Sequence, residues 1–562
     1  MNPNLESTAQ ANFAWGQVVA QTLYELGVVT VFFSPGSRST PLILGFERHP
    51  SITCIPVLDE RTAAFLALGL SKRTRQPAVL LCTSGSAVTH WFPAITEASH
   101  SGIPLLLLSA DRPDELQDCA SGQTINQQEL FGSFVRKFYQ LPHPGLETTS
   151  FQFLQNTLVQ AHSQSIHVNP GPVHLNFPFR EPFLPKDKPI TLNLLPVEPL
   201  AKPITNLQKQ TSLINNQIKG FCRPLIIAGE FAPASMVIDW LGKCSTPVIC
   251  DSLSPLRENF LSTRILRYEN LLRDSHFAKQ AQPDLVIVLG PLPTSKTLRN
   301  WVDQSGATRI VIEPRGTPVD PLVSQSHSFK IDYSTLPQIQ LPDSEDGWLN
   351  LWQDAERRVE EKLTLEFAEK LPSFEGKLTR LLSQYLPPLS FLHVANSMPI
   401  RDLEWFWLKS EKGRKLFGNR GVNGIDGTLG TALGLAHKSG EPTFLLTGEL
   451  AFLHDSNALL FNQQLLGNLN VFLVNNEGGG IFEHLPIAQQ PEFEKCFATP
   501  QHCNFSLLCQ AHGVELIQPS TWDEIINLIE NPISSGIRVV EIKTDRKKDR
   551  ETRKRLLSLN PS

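Results

Sequence analysis

Phe444-Leu445-Leu446-Thr447-Gly448-Glu449-Leu450 and Val471-Phe472-Leu473-Val474-Asn475-Asn476-Glu477-Gly478-Gly479-Gly480 decide how this 562-residue chain is read. Each stretch opens on a run of β-formers and closes on a turn. A carboxylate just past one strand and an amide just past the next offer oxygen donors to a hard cation. Mg²⁺ takes such donors in a near-octahedral shell, commonly completed by phosphate oxygens. The glycines let backbone approach a phosphate closely. The pair therefore predicts a metal-anchored diphosphate at the carboxyl end of a parallel sheet, with Glu449 and Asn476 at its centre.

Outward from that pair, short β-forming runs alternate with Gly- or Asp-bearing turns and helical periodicity along the whole chain. This alternation predicts parallel sheets covered by helices. The runs fall into three groups: 28–33, 52–55, 78–81, 105–108 and 173–175; then 225–227, 248–249, 285–288 and 310–312; then 391–394, 444–446, 471–473 and 539–542. The proline-rich stretch 182–203 reads as a linker. The polar stretch 340–346 closes the second group, and a charged helix over 348–370 leads into the third. So long a chain exceeds one core. The expected fold is α/β, three doubly wound and mostly parallel-sheet domains at 1–186, 205–345 and 346–562, with 187–204 as linker.

Composition excludes several function classes. The net charge is −5, and the basic run 543–555 is broken by Asp545, Asp549 and Glu551. That run reads as a solvated terminal helix, and nucleic acid is not an expected partner. No apolar run reaches the roughly 18–20 residues of a membrane span. The N-terminus lacks a charged-then-apolar signal pattern. Nine scattered cysteines without a CxxC pair predict a reducing, cytoplasmic setting with buried, inert thiols rather than a zinc or thiol-catalytic site.

In open α/β sheets, ligands bind outside the carboxyl ends of the strands. Glu60 follows a predicted strand and opens an apolar helix. It is either a first-turn carboxylate favouring the helix dipole or a carboxyl group poised to exchange a proton with a cofactor. Arg38, Arg112, Arg401 and Arg420 all fall in turns after predicted strands. They are either surface ion-pair residues or forked guanidinium groups that recognise carboxylates. Gly424, Gly427 and Gly430 fit close helix packing as well as phosphate binding. No P-loop occurs, and no GxGxxG sits between strand and helix, which argues against a nucleotide kinase or a simple NAD enzyme.

Taken in order and spacing, SPGSRSTP (34–41), DER (59–61), ADRP (110–113), NSMPIRD (396–402), NRG (419–421) with GIDG (424–427), and NN (475–476) with GGGIF (478–482) resemble the thiamine diphosphate-dependent enzyme family. Within it they resemble the branch that joins 2-oxoglutarate to isochorismate in menaquinone and phylloquinone synthesis. The match covers almost the whole chain. The resemblance implies a pyrimidine-binding domain, a middle domain and a diphosphate- and metal-binding domain, in that order. It implies thiamine diphosphate with Mg²⁺ or Mn²⁺, and a homodimer or homotetramer with each cofactor between the first domain of one subunit and the last of another. The implied reaction is a transfer: decarboxylation of 2-oxoglutarate, then conjugate addition of the remaining unit to isochorismate.

Residue by residue, Glu60 matches the glutamate that hydrogen-bonds the aminopyrimidine, and Ile425 the apolar prop that bends the cofactor. Gly448, Ile481 and Phe482 match further cofactor contacts. Asn476 and the Gly478 carbonyl match metal ligands, with Glu449 where the family has aspartate. Ser37, Arg38, Arg112, Gln123, Lys296, Ser397, Arg401 and Arg420 match substrate residues, and Gln123, Arg401 and Arg420 join Glu60 as catalytic. Both substrates carry two carboxylates, so a cationic pocket is required. The family has a basic residue directly after this lysine, where the chain has Thr297; Arg299 is the nearest replacement. Two rivals stand beside this reading. Another thiamine diphosphate-dependent 2-oxo acid decarboxylase or synthase has little use for the arginine set. A non-catalytic scaffold draws support only from Glu449 and Thr297.

Overall fold

Three six-stranded sheets carry the chain, and every strand pairing in them is parallel. The structure is a computed structural model and describes residues 3–167, 169–185, 192, 194–200, 207–230, 234–242, 244–317, 319–368 and 373–562. Much of the expected linker 187–204 lies outside the described residues.

The first sheet holds β1 (Thr30–Phe33), β2 (Thr53–Pro56), β3 (Ala78–Cys82), β4 (Leu105–Asp111), β5 (Lys137–Gln140) and β6 (Pro172–Pro178), in the order β2-β1-β3-β4-β6-β5. The second holds β7 (Pro224–Ala228), β8 (Val248–Cys250), β9 (Arg264–Ile265), β10 (Leu285–Leu289), β11 (Thr308–Ile312) and β12 (His327–Phe329), in the order β12-β11-β10-β7-β8-β9. The third holds β13 (Phe391–Val394), β14 (Lys415–Phe417), β15 (Thr443–Gly448), β16 (Asn468–Asn475), β17 (Glu515–Ile517) and β18 (Gly536–Lys543), in the order β14-β13-β15-β16-β18-β17.

The central strands are covered on both faces and built around apolar runs: β4, β7 and β10 are buried along their whole lengths. A topological switch point lies in each sheet, between β1 and β3, β7 and β10, and β13 and β15. Such a switch point splays the flanking loops and opens a crevice at the strand ends. The loops concerned carry Ser37 and Arg38, Lys296, and Ser397 with Gly448 and Glu449.

Two compact units form. The first comprises Met1–Pro203, Asn419–Ser439 and His454–Gly467, and the second Ile204–Gly418, Gly440–Leu453 and Asn468–Ser562. In the first unit, the helix Thr428–Ala436 packs on the helix Glu60–Thr74. Gly427 sits between them at φ +64°, where a Cβ would lie 2.1 Å from the Phe65 ring. The glycine spacing at this point thus serves helix packing.

Every predicted run is a strand. The ones the pattern missed, β5, β9, β12, β14 and β17, are all sheet edges. The thiol expectation needs correction: all nine cysteines are free, but Cys119, Cys222 and Cys496 are exposed.

His174 in β6 is fully buried, with its Nε2 2.7 Å from the Ser109 Oγ. Burial pushes the imidazole down to about 3, below its ordinary 6.5. The folded state therefore refuses a proton that the unfolded chain accepts, and stability is lost as pH falls below 6.5. The expected loss from this one group is about 1.4 kcal/mol per pH unit. Denaturant titrations at pH 7 and pH 5 should show the difference shrinking by about 2 kcal/mol in His174→Gln.

Candidate active site

In the second unit, the ends of β15 and β16 meet as the spacing predicts. Glu449 follows β15 and is 4% exposed. The Gly478 N–H donates to its Oε1 at 2.6 Å. Burial pushes the carboxyl up to about 7, so a bound cation would be needed to hold it firmly ionised. Gly478 has φ +140°, and a Cβ there would lie 2.5 Å from the Ala498 carbonyl oxygen. Only glycine lets this loop fold against its neighbour.

Asn476 follows β16 and is 7% exposed. Its Nδ2 donates to Glu375 Oε2 at 3.2 Å. Its Oδ1 is buried and has no hydrogen-bond partner among the described residues. A buried amide oxygen left bare costs free energy unless something fills it. A carboxylate, this orphaned oxygen and a backbone carbonyl form a hard-donor set of the kind Mg²⁺ takes. Among the described residues no group of three His, Cys, Asp or Glu could hold a metal. Asn475 is turned elsewhere: its Nδ2 donates to Glu541 at 2.7 Å.

Behind Asn476, Glu375 pairs with the buried Arg553. Arg553 also grips Asp402 with both ends, Nε and Nη2 each 2.7 Å from a carboxylate oxygen. Such outer partners fix the orientation of a ligating side chain.

The loop after β13 holds Ser397 at φ +72°, a left-handed backbone rare outside glycine. The outlier sits at the switch point, where strain and function coincide. The Arg401 Nη1 donates to the Ser397 carbonyl at 2.6 Å. Arg401 and Ile481 line a 570 Å³ cavity, and Lys296 reaches the same cavity from the start of the helix Lys296–Gln304, past β10. The cavity also takes in Arg273, His484, Arg550 and Lys554, which sequence reasoning did not select. The signal was present, since positions 550, 554 and 557 share one helix face. The terminal helix, Arg546–Leu557, is therefore not simply solvated: Arg553 is 1% exposed within it. Glu449 lines a separate 470 Å³ hollow with Asn475, Gln518 and Glu541. Phe482 lies 5.8 Å, ring to ring, from Phe497.

Thr297 donates to Glu269 Oε1 at 2.8 Å. Arg299 does not replace the missing basic residue. Its Nε donates to the Pro293 carbonyl at 2.7 Å and its Nη2 to the Leu292 carbonyl at 3.2 Å.

In the first unit, Glu60 opens its helix and is half-buried. Asp59 performs the capping, accepting from the Arg61 and Thr62 N–H groups at 2.9 and 3.2 Å. Glu60 makes no hydrogen bond or ion pair among the described residues, and its charge helps to raise the buried Cys82 thiol. At the ends of β3 and β4, the Arg112 guanidinium donates to the Ser84 Oγ, and the Gln123 Nε2 donates to the Ser84 carbonyl at 3.1 Å. Arg38 is buried and donates to the Phe179 carbonyl at 2.8 Å. Burial first, then Arg112, lowers its guanidinium below the ordinary value. Glu181 answers part of that charge, since the Arg38 Nη2 donates to its Oε1 at 3.2 Å. Ser37 is exposed beside them. Arg420 and Ile425 belong to this unit, and Glu97 steadies their loop by accepting from the Gly421 and Val422 N–H groups at 3.0 and 2.9 Å.

Residues 14–132 match the family described as thiamine pyrophosphate enzyme, N-terminal TPP binding domain, and residues 404–542 match its C-terminal TPP binding domain. The chain is 40% identical over 565 residues to the 2-succinyl-5-enolpyruvyl-6-hydroxy-3-cyclohexene-1-carboxylate synthase of Trichodesmium erythraeum (strain IMS101), covering 96% of each chain. It is also 40% identical over 567 residues to the synthase of that name from Thermosynechococcus vestitus, covering 98% of this chain and 99% of the other. Benzoylformate decarboxylase from Polynucleobacter necessarius shares the fold, with a TM-score of 0.70 and 16% identity over 95% of this chain and 98% of that one. Full-length identity of this order, joined to cofactor-domain matches at both ends, shows that the chain belongs to the 2-succinyl-5-enolpyruvyl-6-hydroxy-3-cyclohexene-1-carboxylate synthase family of thiamine diphosphate-dependent enzymes.

Proposed function

We infer that this chain decarboxylates 2-oxoglutarate and adds the remaining four-carbon unit to isochorismate, giving 2-succinyl-5-enolpyruvyl-6-hydroxy-3-cyclohexene-1-carboxylate and CO₂. The observation that carries this reading is the identity to synthases of that name over nearly the whole chain. The cationic cavity at Lys296 and Arg401 suits substrates with two carboxylates each.

Thiamine diphosphate, when bound, supplies the sink for the electron pair released with CO₂. The chain's own residues hold, orient and move a proton. Glu60 exchanges a proton with the pyrimidine nitrogen, a role supported by its position at the start of its helix, where Asp59 does the capping and leaves the Glu60 side chain without a partner among the described residues. Ile425 props the cofactor, and Gly448, Ile481 and Phe482 pack around it. Glu449, the orphaned Asn476 Oδ1 and the Gly478 carbonyl hold Mg²⁺ or Mn²⁺. Ser37, Arg38, Arg112, Gln123 and Arg420 in the first unit, and Lys296, Ser397 and Arg401 in the second, bind and orient carboxylates. The reading carries with it domains at 1–186, 205–345 and 346–562. It also carries a homodimer or homotetramer whose sites are completed by a second subunit, and a cytoplasmic location in keeping with nine free thiols.

The test is a two-substrate assay. Joint consumption of 2-oxoglutarate and isochorismate, with CO₂ matching the adduct, is expected. Equal consumption of 2-oxoglutarate without isochorismate would mark a simple decarboxylase. Glu449→Ala should weaken Mg²⁺-dependent thiamine diphosphate binding by at least about tenfold in calorimetry, while Glu449→Asp should retain it. Unchanged affinity in the alanine variant removes Glu449 from the ligand set.

A further inference from the structure

The 570 Å³ cavity has a wall that the expected site residues do not explain. Arg550, Lys554 and Leu557 form it, on one face of the terminal helix. Arg553 between them turns inward to Asp402 and Glu375. This buried clamp fixes the helix about its own axis and decides which side chains meet the cavity.

The charges on that wall are poorly balanced. Arg550 has only an exposed partner, Glu551, at 3.0 Å, and exposed pairs are worth little. The Lys554 ammonium has no ion-pair partner among the described residues. The lining acids do not offset them. Glu269 already accepts from Arg273 at 2.7 Å, from Thr297 at 2.8 Å and from Ser295. Glu404 is already engaged: it accepts from Tyr268 and from the Ser252 N–H at 3.0 Å and faces the buried Arg257 at 3.5 Å, while burial pushes its carboxyl up. His484 is pushed down to about 4, chiefly by burial, and is neutral at pH 7. Positive charge from four helices thus converges on one concave space, which a small dianion would neutralise.

We propose that Arg550 and Lys554 are carboxylate-binding residues of the active site, supplying from the terminal helix the positive charge that Thr297 does not. This rests on the two-dicarboxylate reading above. The Arg550 guanidinium and the Lys554 ammonium engage one carboxylate of 2-oxoglutarate or of isochorismate in the cavity that Lys296 and Arg401 also line.

The test is steady-state kinetics on the full-length enzyme with both substrates varied. Arg550→Gln and Lys554→Gln should each raise KM for one substrate about tenfold, and the double variant about a hundredfold. The substrate whose KM moves is the one the wall binds. Lys554→Arg should recover most of the loss, which a merely structural role would not predict. Lys547→Gln, on the exposed side of the helix, should match the parent. A double variant with both KM values within twofold of the parent overturns the proposal while leaving the function intact. Should the parent turn over neither substrate, the functional reading fails instead. Calorimetric titration of 2-oxoglutarate and of isochorismate then still decides: equal affinity of parent and Lys554→Gln, a change at an exposed side chain, for both compounds also overturns the proposal.

Discussion

Glu60→Gln is expected to bind thiamine diphosphate within a few-fold of the parent and to lose about 10²- to 10⁴-fold of turnover. The substitution keeps size and hydrogen-bonding reach and removes only the ability to exchange a proton. Local structure should tolerate it, because Asp59, not Glu60, holds the first-turn N–H groups of the helix. Among the described residues Glu60 is also not held in an ion pair whose loss would unsettle the fold. Single-turnover measurements beside calorimetric titration of the cofactor separate the two effects. Near-parental turnover would remove the proton role. Loss of binding in parallel with turnover would make Glu60 an anchor rather than an acid–base group.

The sequence made the central strands legible because they are buried on both faces and read as unbroken apolar runs. The edge strands escaped for the opposite reason. β14 and β17 are three residues each and only partly covered, so they carry no apolar run. The loops after β13, β15 and β16 were legible because their chemistry follows the strands at once. The cavity wall was not. Arg550 and Lys554 lie far along the chain from Lys296 and Arg401, and a run of mixed charge at a terminus looks like a solvated face. Only the burial of Arg553 turns that helix into part of a site. Glu375 was invisible for a similar reason: nothing local marks a helix-opening glutamate as the partner of an amide one hundred residues later.

Arg553→Met is expected to cost about 3–5 kcal/mol of stability at pH 8, the scale for breaking a buried ion pair by removing one partner. Methionine fills much the same space but leaves Asp402, Glu375 and Asp549 buried without the cation at their centre. Even with the arginine present, burial pushes Asp402 up to about 6 and Asp549 up to about 8. Carboxyl groups raised in this way favour the folded state when protonated, and that contribution fades as pH rises through their folded values. The penalty for Arg553→Met should therefore shrink between pH 8 and pH 5, and adding Asp402→Asn should recover part of it. The same variant should weaken Mg²⁺-dependent cofactor binding about tenfold, because Glu375 no longer holds the Asn476 amide with its oxygen turned outward. Parental melting at pH 8 would show that the clamp contributes no stability. Reduced stability with unchanged metal dependence would separate the clamp from the ligand and leave Asn476 oriented by its own loop.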